Sequence, residues 1–134
     1  VLVTGAIFSV YAAAYYWLPK WTGNMFHTGL AKFHFWASLI SVNVLFFPMH
    51  FVGLGSMPRR IPDYPLQFAD MNFWISIGGF AFGLSQIIFL VVLYKCVKGG
   101  EKATSEVWEN PEGLEWTVPS PAPLHTFEVP PTVK

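Results

Sequence analysis

Charge is scarce in this sequence. Its 134 residues include 8 Lys and Arg against 8 Asp and Glu, and they leave no formal net charge. A nucleic-acid partner is excluded on that ground, because a phosphate backbone is met by an excess of clustered positive charge. Cysteine occurs once, at Cys96, which excludes an internal disulfide and a metal cage built from thiolates. The apolar stretches contain no nucleophile–base pair, no Gly-rich phosphate loop and no carboxylate dyad, so the chain taken by itself carries no catalytic constellation. The sequence opens on Val1 rather than Met, which fits removal of a targeting segment.

Hydrophobic residues make up 53% of the chain and aromatics 18%, and the few charges are unevenly placed. None falls between Val1 and Pro19, none between Lys32 and Arg59, and none between Asp70 and Lys95. A bilayer core is crossed by about 20 helical residues, so each of these stretches predicts a membrane span. The expected spans cover residues of about 1–18, 30–52 and 68–97. Pro19 is expected to close the first, and Pro48 to kink or end the second. Trp17, Trp21, Trp74 and Tyr94 stand near span ends, as an interfacial belt requires. The predicted class is an all-α membrane protein, with residues 1–98 forming three transmembrane helices.

Residues 99–134 differ in kind. Glu101, Glu106, Glu109, Glu112, Glu115 and Glu128 lie here, with five prolines from Pro119 onward. This composition predicts an extended tail, and Trp108, Trp116 and Phe127 predict that it lies against protein rather than floating free. Lys20 and Lys32 flank the first loop, and Lys95, Lys98 and Lys102 follow the third span. The positive-inside rule therefore puts the tail on the cytoplasmic or matrix side.

Within the second span, His34 and His50 stand roughly 24 Å apart, and His27 and His34 about 10 Å apart. Neither pair can share a metal ion, and each His reads first as a hydrogen-bonded packing residue. Gly79 and Gly83 form a GxxxG pair, while Ser76, Ser85 and Gln86 offer interhelical hydrogen bonds. These features imply helix partners, more than three spans supply internally.

The sharpest signal is Arg59-Arg60, in the run Gly53-Leu-Gly-Ser-Met-Pro-Arg-Arg-Ile-Pro-Asp-Tyr-Pro65. Two permanent cations sit in a proline-stiffened loop on the outer side, against the positive-inside rule. They meet either Asp63, Asp70 or lipid head groups, or an anion the chain does not contain.

This run, with Phe46-Phe-Pro-Met-His50 ahead of it, closely resembles the segment joining the last two helices of subunit I of cytochrome c oxidase, in the heme-copper oxidase family. Ala31-Lys-Phe-His-Phe35, Val1-Leu-Val-Thr-Gly-Ala-Ile-Phe8, Leu114-Glu-Trp116 and His125-Thr-Phe-Glu128 extend the likeness along essentially the whole chain. The resemblance implies that the three spans correspond to the family's tenth, eleventh and twelfth and complete a larger helical bundle. It implies an enzyme complex that passes electrons from cytochrome c to oxygen and pumps protons, using heme a, heme a3 and copper. It assigns Arg59 and Arg60 to heme propionates, Phe46 and Phe47 to the vicinity of the hemes, and the Pro62 carbonyl with Asp63 to an outer-side cation site. The family's iron and copper ligands match nothing here, so they are expected on an N-terminal part of the subunit. That part, the other oxidase subunits and membrane lipid are the implied partners. The expected setting is a mitochondrial inner membrane with a split subunit gene, or alternatively a bacterial plasma membrane. The rival expectation is a small accessory or scaffold membrane subunit with no heme role.

Overall fold

The computed structural model describes residues 2–104, 107–109 and 113–131. Val1, Glu106 and Glu112 lie outside the described residues. The chain forms three long α-helices: α1 (Leu2–Thr22), α2 (Thr28–Leu54) and α3 (Ala69–Gly99). A 3-10 turn at Leu66–Phe68 leads into α3, and another at Leu114–Thr117 lies in the tail. Among the described residues there is no strand, only an isolated antiparallel bridge between Asn24 and Lys102. All three helices are long and apolar enough to cross a membrane. The 27 residues of α2 reach about 40 Å, beyond the roughly 30 Å of a hydrocarbon core. The protein is an all-α membrane protein, as its charge-free stretches predict.

Neither helix ends at its proline. α1 runs through Pro19 to Thr22, and α2 runs through Pro48 to Leu54. A proline removes one backbone donor, and a membrane helix tolerates that single loss while the turns around it stay bonded. Beyond Pro19, Thr22 Oγ1 donates to the Leu18 carbonyl at 2.8 Å and Gly23 N–H to the Pro19 carbonyl at 2.9 Å. Beside Pro48, the His50 ring Nδ1 lies 3.1 Å from the Phe46 carbonyl and 3.2 Å from that of Phe47.

The chain divides into two compact units, residues 1–27 with 92–134 and residues 28–91. In the second unit, α2 and α3 pair in antiparallel register. His34 stacks on Phe89 with ring centroids 5.3 Å apart, and Gln86 Nε2 donates to the Ser85 hydroxyl at 2.8 Å. One turn on, the Ser38 and Ser85 hydroxyls lie 2.9 Å apart, and Ser85 also donates to the Phe82 carbonyl at 2.7 Å. His34, Ser38 and Ser85 are all buried. In a bilayer each buried polar group needs a protein partner, so this seam fixes the register of the two helices.

Between α2 and α3 the close approach is made one residue ahead of the GxxxG pair. The close approach falls on Gly78, where an added Cβ would stand 2.6 Å from the Leu45 backbone nitrogen. Gly79 meets only the Leu45 side chain, at an ordinary 3.6 Å, and Gly83 meets nothing within 4 Å. Successive helical residues point about 100° apart, and the partner helix lies on the Gly78 side.

In the first unit, the tail lies against the end of α1, as its tryptophans predict. Trp108 stacks on Tyr16 at 5.8 Å and donates from Nε1 to the Tyr16 carbonyl at 3.2 Å. Trp116 is buried edge-on to Tyr16 at 5.1 Å. Asn24 Nδ2 donates to the Cys96 carbonyl at 3.0 Å, and Cys96 Sγ lies 3.2 Å from the Asn24 carbonyl. Cys96 is therefore a buried packing residue.

Candidate functional site

The arginine loop is built from the end of α2. Met57 N–H bonds to the Val52 carbonyl at 3.3 Å and Ser56 N–H to the Gly53 carbonyl at 3.1 Å. This pair of bonds is a Schellman closure, with Ser56 in the left-handed position at φ 67°. Apolar packing accompanies the closure, because Met57 packs against the cluster of Val52, Phe68 and Ile75. Gly55 ahead of it must lack a side chain, since a Cβ there would meet the Phe68 ring at 2.8 Å. At the other end of the loop, Phe68 N–H bonds to the Pro65 carbonyl at 2.9 Å. Asn72 Nδ2 donates to the Phe68 carbonyl at 2.9 Å and reaches Met57 Sδ at 3.6 Å. The loop is thus pinned at both ends to one apolar cluster.

Between the pins, Arg59 and Arg60 are both exposed. Arg60 adopts φ 58°, a left-handed conformation that costs a non-glycine residue about 1 kcal/mol. Asp63 turns back on its own backbone, accepting the Tyr64 N–H at 2.8 Å. Among the described residues neither arginine forms an ion pair with Asp63 or Asp70. The ordinary explanation of the pair, an internal salt bridge, is not what the structure shows. The loop instead carries two permanent, exposed cations.

The other expected site residues fall in the same unit. Phe46 and Phe47 are exposed on α2, about 10 Å below its end. Phe47 packs edge-on against Phe51 at 5.3 Å. Pro62 and Asp63 are exposed within the loop. Among the described residues no group of three or more His, Cys, Asp or Glu side chains could hold a metal ion. The sequence reading passed over Ser56 and Met57. Their signal was the glycines before them, which mark a helix end without saying which residue takes the left-handed turn.

Three spans with wide exposed apolar faces and an exposed cationic loop together define a multi-pass helical membrane protein. The model of the family described as Cytochrome C and Quinol oxidase polypeptide I matches residues 1–81, which include the arginine loop. Cytochrome c oxidase subunit 1 of Cereibacter sphaeroides is 41% identical over 130 residues, covering 96% of this chain and 23% of that protein. Cytochrome c oxidase subunit 1 of Yarrowia lipolytica is 40% identical over 147 residues, covering 97% of this chain and 28% of that protein. The chain belongs to the cytochrome c and quinol oxidase subunit I family. It spans about a quarter of the length of these relatives.

Proposed function

We propose that this chain works as the C-terminal part of the catalytic subunit of a cytochrome c oxidase. In this reading α1, α2 and α3 complete the subunit's helical bundle, and the arginine loop holds heme propionates. The enzyme transfers electrons from cytochrome c to oxygen and pumps protons. Its iron and copper ligands lie on the remainder of subunit I, with which this chain assembles along with other oxidase subunits and lipid. The observation that carries the reading is the pair of exposed arginines that no carboxylate among the described residues neutralises.

The residues fit a group bearing two carboxylates. Each guanidinium offers a planar fork of donors to a carboxylate and stays charged at any working pH. Pinning at Met57 and Asn72 holds the ends of the loop in place, so less backbone entropy is lost when the anion docks. The cations also keep a propionate ionised, because an adjacent positive charge favours the charged form. Exposed Phe46 and Phe47 offer apolar surface for the macrocycle beneath. When bound, heme a and heme a3 supply the electron-transfer and oxygen chemistry, with copper held elsewhere in the complex. The Pro62 carbonyl and Asp63 supply oxygen ligands of the hard type for an outer-side cation.

Purification through a tag on this chain, in mild detergent, is expected to bring down heme that ferrous cytochrome c reduces and oxygen reoxidises. Intact membrane partners recovered without heme would overturn the reading. The setting is a mitochondrial inner membrane, with a bacterial plasma membrane as the other host.

The tail faces the inner side, on the strength of Lys95, Lys98 and Lys102 after α3. Protease added to that side is expected to cut within residues 121–131, all of which are exposed. Cleavage there only from the outer side would refute this orientation.

A further inference from the structure

We propose that Lys20 is a latch that straps the C-terminal tail onto the end of α1. A lysine near a helix end in a membrane ordinarily extends its ammonium to water. Lys20 does the opposite: it is 6% exposed, and its Nζ donates to the Val118 carbonyl at 2.6 Å and reaches the Pro119 carbonyl at 3.4 Å. The ammonium also stands over the Trp116 indole, 5.1 Å from the ring centroid. Glu115 brings a negative charge to the same place and accepts a bond from Trp17 Nε1 at 3.4 Å. Trp116 and Val118 are buried beside it.

The tail meets α1 and the loop after it at a series of points. Met25 N–H bonds to the Glu101 carbonyl at 2.6 Å, and Ala103 N–H to the Gly23 carbonyl at 2.9 Å. Trp108 then covers Tyr16, the Lys20 contacts follow, and Ser120 and Pro121 pack on Gly23. Residues 121–131 are exposed throughout. Lys20 thus anchors the strap near the end of its contacts with α1 and the following loop. It is also the anchor that requires a cation, because a buried ammonium is tolerated only with acceptors around it. The two carbonyls gain in the same way, since Pro119 has no N–H with which this stretch could continue a regular ladder.

The test is hydrogen–deuterium exchange on the full chain in its membrane assembly. Lys20→Met keeps most of the side chain's length and apolar contact but removes all three donors. Exchange of the amides in residues 114–118 is expected to rise about tenfold or more, with α2 unchanged. Unchanged protection of residues 114–118 would overturn the latch. If the variant chain accumulates poorly, a chain ended after Thr104 keeps the question open to measurement. Lys20→Met is expected to lower the full chain's abundance to that of the truncated chain and to leave the truncated chain unaffected. A further loss in the truncated chain would show that Lys20 supports α1 itself, and would equally overturn the latch.

Discussion

Replacing Arg60 or Arg59 with Gln is expected to lower oxidase turnover about tenfold or more, while chain abundance stays within about twofold. The split between the two effects follows from the geometry. Both side chains are exposed and have no carboxylate partner among the described residues, and substitutions at such sites usually change stability by no more than about 0.5 kcal/mol. A guanidinium gripping a desolvated propionate is different. Its loss leaves a buried carboxylate without its partner, at a cost of about 3–5 kcal/mol. The carboxylate then takes up a proton more readily, because the neighbouring cation that favoured its charged form has gone. Loss of a positive charge near the iron also favours the oxidised state, so the midpoint potential should fall by some tens of millivolts. A Coulomb term of about 1 kcal/mol corresponds to roughly 40 mV for one electron. Proton uptake by the propionate would shrink that shift and make it pH-dependent. Arg→Lys keeps the charge and loses the fork, so it should hold the potential better than Gln while still lowering turnover. Potentiometric titration and oxygen-consumption rates on the purified complex check this. Wild-type potentials and turnover in both Gln variants would remove the propionate-anchor role.

The residues differ in how far their roles can be read from the sequence. The three helices follow from stretches without charge, since only an apolar run of that length suits a bilayer. The arginine loop stands out for a related reason: fixed charge between apolar runs demands a counter-ion, and prolines mark the rigid backbone that presents it. What depends on the position of a second element is not legible. Gly78 and Gly79 are adjacent in sequence, and only the place of α2 decides that Gly78 carries the contact. Lys20 reads as a flanking charge until the tail folds back to bury it. Pro19 reads as a helix end and Pro48 as a kink or an end because a proline's missing donor is visible in sequence, yet α1 and α2 both run on past them.

Gly78→Ala is expected to force α2 and α3 apart. The added methyl would stand 2.6 Å from the Leu45 nitrogen, 2.9 Å from its Cα and 2.9 Å from the Val44 carbonyl carbon. All three are backbone atoms of a helix, so they cannot rotate away as a side chain would. Overpacking of this kind costs about 1–3 kcal/mol or more. It is opposed only by the roughly 1 kcal/mol that Ala gains over Gly in a helix. The separation would also stretch the 2.9 Å contact between Ser38 and Ser85, leaving two hydroxyls poorly satisfied in an apolar medium. Gly79→Ala and Gly83→Ala serve as internal controls, because each adds a methyl at ordinary contact distance or in open space with respect to α2. A Ser38→Cys/Ser85→Cys pair reports on the register directly, since the hydroxyls it replaces are adjacent. Oxidative cross-linking of that pair is expected to proceed normally with Gly79→Ala or Gly83→Ala and to fall at least about fivefold with Gly78→Ala. Equal cross-linking in all three backgrounds would show that α2 and α3 do not meet at Gly78. A loss confined to Gly79→Ala and Gly83→Ala would return the contact to the GxxxG pair, and with it rotate α3 by roughly one residue's turn, about 100°, against α2.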